Sequence, residues 1–245
     1  MGGDFAPESE IKGSIEAALE KSKEIEVILV GKEEVLRNSI SGLNLTVPEN
    51  LSIVNAKDVI AMDESPSDSL RNKPESSLSV SVSLQKENKA DASISAGNTG
   101  ANMAHSTYKL GRLKGIGRPT IGTILPSANK ISLVIDAGAS VDCKPRHLLE
   151  FAVMGSIYMN TMFKVDNPRV GLLSIGEEKS KGNELTFQAY ELLEKSSLNF
   201  IGNVEGGDIL RGNADIFVCD GFIGNIILKF AESILDLLKY EKHKK

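Results

Sequence analysis

Asp91-Ala-Ser-Ile-Ser-Ala-Gly-Asn-Thr-Gly-Ala-Asn-Met-Ala-His-Ser-Thr-Tyr-Lys-Leu110 is the stretch on which the reading of this chain turns. A short apolar run, residues 92–96, breaks at Gly97. Asn98 or Thr99 can then cap a helix whose apolar marks include Met103, Ala104, Tyr108 and Leu110. The pattern predicts strand, tight polar turn, helix. Such a turn aims backbone N–H groups and the positive end of a helix dipole at one point, where an anion, phosphate first, is the natural occupant. An ordinary βα turn that uses glycine for its geometry fits the same stretch equally well, because a short Gly-rich turn is a weak motif.

Working outward, the composition narrows the possibilities. A chain of 245 residues with 41% hydrophobic and 25% charged residues is an ordinary soluble globular protein, large enough for a substantial core. Aromatics are scarce and Trp is absent, which removes stacking platforms for bases or sugars. A net charge of −5 argues against nucleic-acid binding. No apolar run approaches the length of a membrane span, and no basic-then-apolar leader opens the chain. The two cysteines, Cys143 and Cys219, stand in no metal-ligand spacing and suit a reducing compartment, so a cytoplasmic protein is expected.

Strands and helices alternate along nearly the whole chain. Helices are predicted over 8–23, 32–38, from Ser76, after Gly97, over 146–163, 183–194 and 224–240. Strands are predicted over 26–30, 51–56, 92–96, 120–125, 131–135, 170–175, 200–204 and 214–219. Residues 62–74 read as irregular, and 242–245 as a basic tail. The short link 126–130 suggests a hairpin, so one strand of an otherwise parallel sheet runs the other way. The expectation is an α/β fold, a mostly parallel sheet flanked by helices, in one domain over 1–245.

Ligands of open α/β sheets bind beyond the carboxyl ends of the strands. Four predicted strands end there in glycine with Asp, Asn or Glu. The loops are Gly97-Asn98-Thr99-Gly100, the run from Asp136 to Pro145, the run from Gly176 to Asn183, and Asp220-Gly221-Phe222-Ile223-Gly224-Asn225. Any one is a routine α/β loop, but four at one sheet edge point to a built site. No dinucleotide fingerprint, P-loop or nucleophile elbow is present. His105, His147 and His243 have no spaced metal partners, and His105 reads as a packing or surface residue. Asp142 beside Cys143 opposes a thiolate, so Cys143 reads as a small packing residue. Arg71, Lys73, Lys144 and Lys181 are the cations near these loops, each equally readable as surface solvation.

Taken together, the loops carry a resemblance. Met1-Gly2-Gly3-Asp4 with Ala6-Pro7, Arg71-x-Lys73-x-x-Ser76-Ser77-Leu78, Ser95-Ala96-Gly97-Asn98-Thr99-Gly100-Ala101 and Leu110-Gly111-Arg112 stand in order. Val141-Asp142-Cys143-Lys144-Pro145, Ile175-Gly176-Glu177-Glu178 with Lys181-Gly182-Asn183, Gly202-Asn203-Val204-Glu205-Gly206 and Asp220-Gly221-Phe222 with Gly224-Asn225 follow. This series resembles the bacterial phosphate acyltransferases of phospholipid synthesis, the PlsX family, over essentially the whole chain.

The resemblance implies a fold like that of isocitrate and isopropylmalate dehydrogenases and a homodimer. It implies transfer of a long fatty acyl group from acyl carrier protein to inorganic phosphate, with the acyl phosphate passing to a membrane glycerol-phosphate acyltransferase. Thiolate is a good leaving group, so no metal, cofactor or covalent intermediate is expected. The implied phosphate-binding residues are Arg71, Lys73, Ser76, Ser77, Gly97, Thr99, Gly100 and Asp136. The implied catalytic residues are Asn98, Lys181, Asn183, Asp220 and Asn225, with Asp142 a lesser candidate. Against the family pattern, the chain is expected to lack the strand before Met1 and the region beyond the last helix, which bears on stability, activity and any peripheral membrane contact. Ser140, Ser174, Gly207 and Ile223 replace the usual residues; at Gly207 a cation is lost. The alternatives are a short-chain phosphate acyltransferase using coenzyme A thioesters, and a non-catalytic remnant that still dimerises or binds carrier protein.

Overall fold

A computed structural model describes residues 1–128 and 130–242; Asn129 in the 126–130 link and the basic tail from His243 onward lie outside the described residues. The chain falls into two compact units, Met1–Arg112 and Leu113–Lys245.

The first unit contains α1 (Glu8–Glu20), β1 (Val27–Gly31), α2 (Glu33–Gly42), β2 (Leu51–Asn55), α3 (Pro66–Asn72), α4 (Ser77–Lys86) and α5 (Thr99–Leu110). The strands β1 and β2 pair in parallel from Val27↔Leu51 to Gly31↔Asn55. Apolar residues at helical spacing put Ile11, Ile15 and Ala18 of α1 and Leu36 and Ile40 of α2 on buried faces, packed with Leu29 and Leu51. Each such buried Leu or Ile contributes about 2 kcal/mol over its exposed state. A smaller cluster of Ile60, Leu78, Val82 and Ala101 joins α4 to α5.

Two expectations are corrected here. Residues 92–96 form no strand; they are a connection without regular structure, and Ile94 is 96% exposed. The run carries one large apolar side chain among Ala and Ser, too little to bury a strand face. Residues 62–74, expected to be irregular, contain α3, which Pro66 opens at a first-turn position with Asp68 beside it.

The second unit contains β3 (Gly122–Ser127), β4 (Lys130–Ile135), α6 (Pro145–Phe163), β5 (Val170–Leu173), α7 (Glu184–Glu194), β6 (Phe200–Val204), α8 (Gly206–Arg211), β7 (Ile216–Val218) and α9 (Gly221–Lys242). Its sheet has the order β3-β4-β7-β5-β6. The expected hairpin is present: β3 pairs antiparallel with β4. The pairs β4–β7, β7–β5 and β5–β6 are parallel. The strands are apolar runs because both faces are covered. Phe151, Ala152 and Met159 of α6 and Leu193 of α7 pack with Leu172 and Ile216 on one side. Phe217, Val134 and Ile209 pack with Ile227 and Ala231 of α9 in a second cluster. The helix α8 was missed in the sequence; its Gly-Gly opening hides a start that Glu205 and Asp208 cap reciprocally. Among the described residues, no helix is long and apolar enough to cross a membrane.

Candidate functional site

Two helix starts, those of α5 and α4, dominate the predicted loops of the first unit. At the quoted stretch, Asn98 is the N-cap of α5, in non-helical backbone (φ −54°, ψ 112°). Its Oδ1 accepts from the Ala101 N–H at 2.9 Å. Its Nδ2 donates to the carbonyls of Glu64 (2.8 Å), Met62 (3.0 Å) and Ala61 (3.3 Å). The side chain is 8% exposed, so its whole hydrogen-bonding capacity holds the 61–64 backbone against the start of α5. The N–H groups of Thr99 and Gly100 have no acceptor among the described residues. They are the free donors that a helix start offers to an anion. Gly100 also meets α3 closely: a Cβ there would lie 2.9 Å from Pro66 Cγ.

Ser76 caps α4, its Oγ accepting from the Ser79 N–H at 3.3 Å, and is fully buried. Ser77 Oγ donates to the Met1 carbonyl at 3.5 Å. Met1 and Gly2 also border Gly97, and a Cβ at Gly3 would lie 2.9 Å from the Ala96 carbonyl oxygen. The opening Met-Gly-Gly thus runs between the start of α4 and the turn before α5, which brings three predicted motifs together inside one unit. Lys73 is engaged: its Nζ donates to Glu64 Oε2 at 2.5 Å and the Val59 carbonyl at 2.7 Å. That bond to Lys73 holds the Glu64 carboxyl below its usual range, against burial. Arg71 is exposed and makes no ion pair among the described residues.

His105, on the buried side of α5, packs rather than faces solvent. Ser69 Oγ donates to the Pro66 carbonyl at 2.8 Å, so His105 Nε2 is the donor in its 3.2 Å bond to that oxygen. Burial, and secondarily the Lys109 charge, push the imidazole pKa down. A cavity of 610 Å³ in this unit is lined by Phe5, Pro7, Ser9, Ser39 and Leu43, and by none of the predicted site residues.

In the second unit, the carboxyl ends of β4, β7 and β5 are adjacent, in the registers Ile135↔Val218 and Leu172↔Val218. Asp136 is fully buried after β4. Its Oδ1 accepts from the N–H groups of Ile121 (3.2 Å), Gly138 (3.1 Å) and Ala139 (2.9 Å), and its Oδ2 from Ser140 (2.8 Å). The carboxylate is the core of its own loop. That loop lies directly on α9: the Gly221 N–H donates to the Ser140 carbonyl at 2.8 Å. A Cβ at Gly224 would lie 1.7 Å from the Asp136 carbonyl oxygen, so only glycine permits the contact. Asp220 caps α9, its Oδ1 accepting from the Ile223 N–H at 2.9 Å. Asn225 is exposed, one turn along, against Gly138.

The loop after β5 is held by Asn203 of β6, whose Nδ2 donates to the Glu178 carbonyl at 3.0 Å, and by Ser174 Oγ donating to the Lys181 carbonyl at 3.1 Å. Lys181 is exposed and without an ion pair among the described residues. Asn183 caps α7 reciprocally with Thr186. Burial, opposed by a backbone bond from Gly221, pushes the Cys143 thiol up to about 11, which suits packing and not nucleophilic attack. Among the described residues, no group of three or more His, Cys, Asp or Glu is placed to hold a metal ion.

The sequence reading passed over Arg118, inside the Gly/Pro break 115–119. The break is pinned to α6, where the Gly117 N–H donates to Glu150 Oε2 at 2.7 Å. Arg118 acts electrostatically on both His147 and Cys143. A cation between two chain breakers in an α/β chain was the available signal.

Comparison with known proteins follows this geometry. A family model described as "Fatty acid synthesis protein" matches residues 1–240. A phosphate acyltransferase of Desulforamulus reducens is 47% identical over 245 residues, which span 98% of this chain and 72% of that protein. One from Halothermothrix orenii is 52% identical over 246 residues, spanning 98% of this chain and 73% of that protein. Among solved structures, the EutD phosphotransacetylase from Staphylococcus aureus superposes with a TM-score of 0.64 at 19% identity, over 93% of this chain and 79% of that one. A branched-chain phosphotransacylase from Enterococcus faecalis gives 0.55 at 16% identity, over 93% and 81%. The two structures share the α/β fold with this chain. With the match running from residue 1 to 240 and about half of all residues shared with the two acyltransferases, the chain belongs to the fatty acid synthesis protein family, the PlsX phosphate acyltransferases that its motifs resemble.

Proposed function

We propose that this protein transfers an acyl group from a thioester to inorganic phosphate. A phosphate oxygen attacks the thioester carbonyl carbon, a tetrahedral oxyanion forms, and the C–S bond breaks as thiolate leaves, giving acyl phosphate and free thiol. Positioning of the dianion and stabilisation of the oxyanion are the tasks left to the protein. The observation that carries the reading is the start of α5, where Thr99 and Gly100 present unclaimed N–H groups in a turn that Asn98 holds open. Gly97 gives the turn its shape, Ser76 and Ser77 position the neighbouring start of α4, and Arg71 supplies charge.

Asn98 and Lys73 take structural roles in this reading, because their donors are already bound to protein acceptors. Asp136 likewise builds its loop and does not meet the anion itself. In the second unit, Lys181 carries an exposed ammonium with no ion pair among the described residues, and Asn183, Asp220 and Asn225 stand at the carboxyl ends of β5 and β7. Acyl carrier protein is the proposed donor, a homodimer the proposed assembly, and the cytoplasm the proposed compartment, with a membrane acyltransferase consuming the product.

The test is release of thiol from purified protein with and without phosphate, using a long-chain acyl carrier protein and acetyl coenzyme A as donors. Phosphate-dependent release from the first is expected. Release from the second alone would make this a short-chain enzyme, and release from neither would overturn the proposal.

A further inference from the structure

The chain as a whole is acidic, with 33 Asp and Glu against 28 Lys and Arg. One face of the second unit inverts that balance. Residues 113–121 hold Lys114 and Arg118 and no acid, and residues 144–149 hold Lys144 and Arg146 and no acid.

The structure brings these two segments together. Arg146 Nη2 donates to the Gly115 carbonyl at 3.5 Å, and the Gly117 N–H donates to Glu150 Oε2 at 2.7 Å. A Cβ at Gly117 would lie 3.6 Å from the His147 ring. All four cations are exposed, and Lys144 and Arg146 stand at the N-terminus of α6, where the helix dipole adds positive potential. Arg118, Lys144 and Arg146 all act electrostatically on His147. Glu150 is the one acid in that set; it pairs with Arg146 at 2.7 Å and is itself buried. Leu113, 77% exposed, precedes Lys114 and adds an apolar side chain to the first of the two segments. Clustered charges of one sign, of which only Arg146 has an acidic partner among the described residues, suit an oppositely charged protein surface and speed its arrival.

The geometry points to this face, Lys114, Arg118, Lys144 and Arg146 with the exposed Leu113, as the docking surface for an acidic protein that carries the acyl group on its thioester arm. The inference rests on the proposed thioester-to-phosphate reaction, and adds to it the surface that selects a protein-borne donor over a small one.

The experiment compares wild type with Arg118→Glu/Lys144→Glu. Thiol release is measured with an acyl carrier protein and with acyl-pantetheine, an uncharged donor, and anisotropy reads binding of labelled carrier protein lacking an acyl group. The milder Arg118→Gln/Lys144→Gln pair serves if the first variant fails to fold. The variant is expected to raise KM for the carrier donor about tenfold, with kcat/KM for acyl-pantetheine within about twofold and weaker carrier binding that wild type also shows at high salt. An equal loss with both donors, or an unchanged carrier KM, overturns the inference. So does loss of binding to phosphatidylglycerol vesicles with carrier KM unchanged, which would make the face a membrane contact. Should wild type turn over neither donor, the reaction assignment fails, and anisotropy alone then decides the surface.

Discussion

The turn before α5 and the loop after β4 are both built around one buried polar side chain, and they end with opposite capacities. Asn98 spends two donor hydrogens on the carbonyls of residues 61, 62 and 64 and one acceptor on Ala101. The Thr99 and Gly100 N–H groups stay unclaimed. Asp136 has only acceptors, and it collects the N–H groups of Ile121, Gly138, Ala139 and Ser140. A loop whose donors converge on its own carboxylate has none left for an anion. The choice of amide or carboxylate at the centre therefore decides which of two glycine-rich, polar turns keeps N–H groups unclaimed, and the proposed phosphate site is the one that does.

The comparison breaks most visibly at Asp136. Asp136→Ala leaves four N–H groups without acceptors in a fully buried position and is expected to cost roughly 3 kcal/mol or more, read as a lowered denaturation midpoint. A loss below about 1 kcal/mol would mean that the carboxylate does not organise this loop. Asn98→Ala comes next, at about 2 kcal/mol from the lost cap and the three stranded carbonyls, with a raised KM for phosphate as the turn relaxes. Asn98→Asp keeps the cap and loses the donors, so it separates the two contributions: helix content holds while phosphate KM rises.

A smaller effect is expected at His105. Its pKa lies below the ordinary value of 6.5, because burial and then Lys109 disfavour the charged ring. In the window between the two values the unfolded chain binds a proton that the folded one does not. The contribution of the neutral ring is thus intact above the ordinary value and declines as pH falls through the folded one. Between about pH 8 and pH 5.5, wild type should lose more thermal stability than His105→Gln, which keeps a donor for Ser69 but does not titrate. Equal losses would place the pH response elsewhere.

Much of this was legible in the chain. Strand runs such as 133–135 and 170–173 carry no polar side chain because both faces are covered, and the hairpin was visible in the shortness of the link between β3 and β4. A cap at Asn98 or Thr99 followed from their place before a helical pattern, and the structure puts it at Asn98. Residues 92–96 misled because apolarity was read without volume: Ala and Ser around Ile94 cannot hold a strand. The helix α3 was hidden by its Pro and Ser content, although Pro66 is itself a start signal. The roles of Asn98, Lys73 and Asp136 were not legible, since residue type does not reveal whether a polar side chain faces a ligand or the protein's own backbone. Only the partners at Glu64, Val59 and Ser140 distinguish the two.

Thr99→Pro tests the central claim most directly. Proline at the first helical position removes one N–H that no protein group uses, and Asn98 before it, at φ −54° and ψ 112°, lies outside the helical region that a following proline disfavours. Against Thr99→Ala, which controls for the hydroxyl, the account predicts stability within about 0.5 kcal/mol and a phosphate KM raised about tenfold in the thiol-release assay. A phosphate KM equal to that of Thr99→Ala, in a folded and active protein, would contradict the assignment of this turn to phosphate.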